Sequence, residues 1–237
     1  MDRPLKEALA ILAPHTSHIE ILSDGLHDLL SDSTPCSEYP FTYSVHAPAS
    51  DVNIAAVNER MRRSSIAVLS DVMAVCARIG AEHLVVHPGY SVYDQVHGRS
   101  HESLMRSLDD LTLLQDEHGV KVCVENMGGW DCCHFRTPDF LPELSERGLA
   151  FTLDCGHAQL NGNLDAFLAA GMYCHVHLHD NGGTSDDHLA CGDGTIDFSG
   201  LVSQLPKQVS LVVETRELAA ADRSIGFLSS IMNGEHS

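Results

Sequence analysis

Short apolar runs rich in Val, Ile and Leu recur near 18–22, 41–46, 83–87, 120–125, 149–154, 173–178 and 209–214. Between them, stretches with helical spacing cover 52–79, 99–118, 137–147, 163–170, 197–205 and 217–231. Alternation of this kind predicts parallel strands joined by right-handed helical crossovers. Asp51, Thr137-Pro138 and Asp197 stand where helix N-termini are expected. The chain opens on a helical pattern, DRPLKEALAILAP, and its first strand-like run is HIEIL. A closed eight-stranded barrel needs one more strand ahead of that helix, and residues 1–3 cannot supply it. The expectation is an α/β fold, a (β/α)8 TIM-type barrel lacking its first strand at the N-terminus. Either the true start lies upstream or the barrel has a gap; a miscounted strand is the alternative. No linker or composition break divides residues 1–237, so one domain is expected.

Six of the runs finish on a coordinating group or carry one just beyond: TYSVHAP, HLVVHPG, VKVCVEN, LAFTLDCGH, CHVHLHD and LVVETR. Parallel strands that bring their carboxyl ends to one face place catalytic groups in this way. Glu125, Asp154, His177 and Glu214 come from four separate strand ends. Together they form a mixed oxygen and nitrogen set suited to Zn²⁺, Mn²⁺, Co²⁺ or Mg²⁺. Three carboxylates at the ends of buried strands are costly without a cation nearby. His46, His87, His157, Asp186 and His188 add further candidate ligands. For the three histidines His46, His87 and His157 the alternative is a hydrogen-bonded site histidine without metal, and for Asp186 and His188 a solvated loop.

His175 and His179 share a strand face with His177 by period two. The H-x-x-D spacing to Asp180 selects His177 as the ligand and leaves His179 as a substrate-binding or supporting group. Trp130 is read as a wall of the substrate pocket or a cap on the barrel. Gly192-Asp193-Gly194 lacks the basic partner of a phosphate loop, and its glycines are expected to let the loop pass close to the substrate.

Charge narrows the partners. Fourteen Lys and Arg against 33 Asp and Glu give −19 with neutral His. Nucleic-acid binding depends on neutralising phosphates with cationic side chains, so DNA or RNA is disfavoured. Eight cysteines occur without a C-x-x-C pair, which favours free thiols in a reducing compartment. Adjacent Cys132 and Cys133 stand out as an oxidation or adventitious-metal site. No signal peptide and no apolar run of spanning length is visible, so a soluble cytoplasmic protein without membrane association is expected. A homo-oligomer is compatible with the sequence.

SVHAP, VVHPG, VENMGG, LDCGHAQLNG, HLHDNGGTSDDHLACGDGTIDF and VVETR resemble the xylose-isomerase-like barrel superfamily, from about residue 16 to 216. That group includes sugar and sugar-phosphate isomerases and epimerases, and endonuclease IV. The isomerase resemblance implies one divalent ion, zinc or manganese, on Glu125, Asp154, His177 and Glu214. Glu125 and Glu214 would then move a proton through an enediolate-like state of a small sugar or sugar phosphate. The endonuclease IV resemblance implies up to three zinc ions. Glu125 would bridge a first zinc, held also by His46 and His87, to a second on Asp154, His177 and Glu214. His157, Asp186 and His188 would hold the third. The acidic charge and short loops favour the carbohydrate substrate; a trinuclear phosphoesterase is the alternative, and a metal-binding barrel without turnover the third.

Overall fold

A computed structural model describes residues 3–234. The chain packs as two compact units. The first runs through Val124 and includes Pro142–Ala150; the second comprises Glu125–Leu141 and Phe151 onward.

The first unit opens on helix α1 (Leu5–Leu12), which buries Leu5 and Leu9. Strands β1 (His18–Leu22), β2 (Thr42–His46), β3 (His83–Val86) and β4 (Lys121–Glu125) then pair in chain order, all parallel. The connections β2–β3 and β3–β4 are made by α2 (Glu59–Ile79) and α3 (His97–His118). Both helices end on a glycine in the left-handed region, Gly80 at φ 71° and Gly119 at φ 66°. Only glycine takes that conformation freely, and it closes a helix by turning the chain away from its axis.

The sequence pattern opened α2 near Asp51, but the helix begins after Asn58, whose side chain accepts the Arg60 N–H at 3.0 Å. Upstream, Asn53 Oδ1 instead accepts the N–H groups of Ala55 and Tyr90, both at 3.1 Å, holding 52–57 as a loop. Arg62, 4 % exposed, links α2 to α3 through Asp110 at 2.5 Å and Ser107 at 3.0 Å, with Glu59 binding its other edge.

Helix α4 (Leu141–Ser145) and strand β5 (Ala150–Asp154) carry the chain between the units. In the second unit a six-residue helix α5 (Cys155–Leu160) follows β5 directly, then α6 (Leu164–Ala170) and β6 (Tyr173–Leu178). After a long loop come α7 (Phe198–Gln204), β7 (Ser210–Val213) and α8 (Leu218–Met232). Strands β5, β6 and β7 pair in chain order, again parallel. Asp197 caps α7, accepting the Gly200 N–H at 3.0 Å, as the sequence indicated.

The core of this unit is an aromatic cluster. Phe151 of β5 lies 5.5 Å from Phe135 and 5.4 Å from Phe167 between ring centres. All three are buried, which anchors β5 and α6 beneath the loop that follows β4. Seven strands and the intervening helices are present among the described residues, the α/β class expected from the pattern. Among those residues no helix is long and apolar enough to cross a membrane.

Candidate metal centre

Each strand of the second unit delivers its coordinating group at the carboxyl end, where the chain leaves the sheet. His177 lies one residue before the end of β6 and is fully buried. Its Nδ1 faces three carboxylates: Glu125 Oε1 at 3.5 Å, Glu214 Oε2 at 3.7 Å and Asp154 Oδ2 at 3.9 Å. Donor atoms of Glu125, Asp154 and His177 all lie within 4.8 Å of one another. The four residues that the strand ends marked therefore converge on one point.

Asp154 is fixed from several sides. Its Oδ1 accepts the His157 N–H at 2.6 Å, which caps α5. His179 Nε2 lies 3.1 and 3.2 Å from the two carboxylate oxygens. The backbone N–H of Asp154 donates to Asn126 Oδ1 at 2.8 Å, and Asn126 Nδ2 returns a bond to the Asp154 carbonyl at 3.0 Å.

A second group lies beside the first. His157 Nδ1 is 2.9 Å from the Asn126 carbonyl. A carbonyl only accepts, so Nδ1 carries a proton, while Nε2 faces Asp186 Oδ2, 3.7 Å away. His188 repeats the arrangement: Nδ1 donates to the Glu214 carbonyl at 3.2 Å and Nε2 meets Asp186 Oδ2 at 3.0 Å. Imidazoles whose far nitrogen is tied to a backbone carbonyl are oriented as metal ligands usually are. Donor atoms of His179, Asp186 and His188 also lie within 4.8 Å of one another. The His179 and His188 rings stack at 4.1 Å.

His179, expected as a substrate-binding or supporting group, is fully buried and bound to Asp154. Trp130 is 43 % exposed and stands edge-on to His157 at 5.4 Å. In the first unit, the His46 and His87 rings meet edge-to-face at 4.8 Å. His46 Nδ1 donates to the Ala47 carbonyl at 2.8 Å.

The charges of these groups are coupled to one another. Burial opposes ionisation of Asp154, yet the His157 and His179 imidazoles hold its carboxyl below the usual range. Asp186 is likewise depressed against burial, by hydrogen bonds to His157 and His188. In return, and again against burial, Asp154 holds His157 well above the ordinary imidazole value and His179 up to about 9. Protons on buried imidazoles thus offset the carboxylates. A divalent ion fits the same place, with the carboxylates ionised and the imidazoles neutral.

Some supporting residues carried little sequence signal. Asn126 and Asn181 work through backbone groups 28 and 25 positions away, Asn181 Nδ2 donating to the Gly156 carbonyl at 3.0 Å. Gly156 has a packing reason: a Cβ there would run into the His179 ring. Gly192 and Gly194, read as passing near a substrate, bring their N–H groups to Asp180 Oδ2 at 3.1 and 2.9 Å.

Residues 34–231 match the family described as the xylose isomerase-like TIM barrel. The chain belongs to that family. The resemblance read from SVHAP, VENMGG and HLHDNGGTSDDH is thereby borne out. This xylose isomerase-like barrel is 36 % identical over 211 residues to the uncharacterized protein MJ1614 of Methanocaldococcus jannaschii, covering 87 % of this chain and 83 % of that one. It is 31 % identical over 221 residues to a probable endonuclease 4 of Mycobacterium leprae, covering 87 % and 85 %. Among solved structures, a D-tagatose 3-epimerase-like protein superposes with a TM-score of 0.90 at 26 % identity, over 98 % of this chain and 94 % of the other. The fold is the TIM-type α/β barrel.

Proposed function

We propose that this xylose isomerase-like barrel is a divalent-metal-dependent isomerase or epimerase of a small sugar or sugar phosphate. One observation carries the reading: Glu125, Asp154 and Glu214 place carboxylate oxygens 3.5–3.9 Å from a single nitrogen, His177 Nδ1. A bound ion, zinc or manganese, would polarise a substrate carbonyl and the hydroxyl beside it.

The chain's own groups divide the remaining work. Asp154 already accepts the His157 N–H and a bond from His179, which suits a fixed, ionised ligand rather than a proton carrier. Glu125 and Glu214 are left to move the proton. One carboxylate removes it from the substrate carbon and the other returns one to the enediolate-like state. The Glu214 side chain is 30 % exposed and that of Glu125 only 2 %, so a proton on Glu214 exchanges more readily with solvent. Trp130, half-exposed beside His157, offers an apolar face for the sugar ring. The formal charge of −19 agrees with a small substrate better than with a polyanion.

The direct test is exchange of a substrate C–H for deuterium in D2O with the metal-loaded protein, screened over small ketoses, aldoses and their phosphates. Wild type exchanges, and Glu125→Gln or Glu214→Gln slows exchange by about 100-fold or more. Exchange that is unchanged in both variants would remove the proposal.

A second reading has its own support. The Mycobacterium leprae relative is named a probable endonuclease 4, and His157, Asp186 and His188 supply ligands for ions beyond the first. In that case zinc-loaded protein nicks abasic DNA, with binding that weakens steeply as salt rises. No cleavage and no binding at low salt would exclude it.

A further inference from the structure

Asp180 is fully buried, and its carboxylate is ringed by backbone N–H groups. Oδ1 accepts from Asn181 at 2.9 Å, Thr195 at 3.0 Å and Ile196 at 3.1 Å. Oδ2 accepts from Gly192 at 3.1 Å and Gly194 at 2.9 Å. The Asp180 backbone adds a two-way bridge, its N–H to the Leu189 carbonyl at 3.0 Å and its carbonyl to the Leu189 N–H at 2.9 Å. Both ends of the 181–191 loop are thus tied to one residue. That loop carries Asp186 and His188, and His188 is held at φ 51°, a left-handed backbone that a non-glycine residue keeps only when its surroundings impose it.

We propose that Asp180 is the positioning residue that sets Asp186 and His188 in place, acting through the backbone of the 189–196 segment. No other side chain fits the role. Asparagine can turn only one oxygen to the ring, so its NH2 would face either the Gly192 and Gly194 donors or the other three. Glutamate is one methylene too long, and Gly194 approaches so closely that even a Cβ there would meet the carboxylate. The proposal rests on reading Asp186 and His188 as metal ligands, and the test separates the two.

The experiment compares Asp180→Asn, His188→Ala and wild type by hydrogen–deuterium exchange of the metal-free proteins, and by cobalt(II) absorption on titration. Asp180→Asn is expected to speed exchange at 189–196 by about tenfold or more, leaving β5 and β6 protected. Its cobalt spectrum is expected to shift from wild type as that of His188→Ala does. Gly194→Ala, which presses a methyl on the same carboxylate, provides a second disturbance of the ring should Asp180→Asn fail to fold, with the same two outcomes. Unchanged exchange at 189–196 overturns the anchoring. Faster exchange with a wild-type cobalt spectrum, where His188→Ala alters it, reduces Asp180 to a structural role and overturns the positioning. A wild-type spectrum from His188→Ala itself removes the ligand reading, and the positioning with it.

Discussion

Asn126 ties two neighbouring strand ends with one amide, donating to the Asp154 carbonyl and accepting the Asp154 N–H. Both atoms are buried, so Asn126→Ala leaves a donor and an acceptor without partners and is expected to cost about 2–4 kcal/mol in urea unfolding. Gly156→Ala, whose methyl meets the His179 ring, is expected to cost about 1–3 kcal/mol and to weaken zinc binding by displacing His179 from Asp154. Wild-type zinc affinity in that variant would contradict the link between Gly156 packing and the site. The difference between these residues and the ligands marks what a sequence makes legible at this scale. Glu125, Asp154 and His177 end apolar runs, so their position in the pattern exposes them. Asn126, Gly156 and Asp180 act on backbone groups remote in sequence, and no spacing encodes such a partner.

Strong apolar periodicity locates elements well, as in β1 and β6, whose bounds match the pattern at 18–22 and 173–178. The pattern extends helix α2 several residues too far, since Asp51 and Asn58 are both capping residue types and only folding decides which of them starts a helix. Asn58→Ala is expected to cost about 1 kcal/mol by thermal unfolding, the usual loss at an N-cap. Helix α5 escaped the pattern because six residues are too few to show a period. It matters for pH, since it carries His157 over Asp154. In metal-free protein the raised His157 and His179 stabilise the fold fully below about pH 6.5, the ordinary imidazole value. That contribution is lost as pH rises through about 9 for His179. The lowered Asp154 and Asp186 act in the opposite sense, stabilising above their ordinary value of 3.8 and losing it as pH falls through their depressed values. The melting temperature of metal-free protein is therefore expected to be highest between about pH 4 and 6.5 and to decline toward pH 9. Zinc should widen the gap between loaded and metal-free protein as pH rises, because the proton no longer competes. A metal-free melting temperature that is flat from about pH 6 to 9 would contradict the imidazole–carboxylate balance.

For the whole molecule, the alternation of strands and helices was enough to place the chain in the α/β class, and six strand-end motifs were enough to indicate its family. Chemistry was less legible, because proteins similar to this chain include a D-tagatose 3-epimerase-like protein and a probable endonuclease 4 alike. What unites the readings is a divalent ion on Glu125, Asp154, His177 and Glu214. The measurement that bears on it most directly is metal content per chain, by elemental analysis of protein purified without chelator or affinity-tag metal, beside Asp154→Ala. About one zinc or manganese per chain, lost in the variant, is the predicted result, and two or three zinc ions would favour phosphoester hydrolysis. A wild-type protein that carries no metal and takes up neither zinc nor manganese on dialysis would contradict the account.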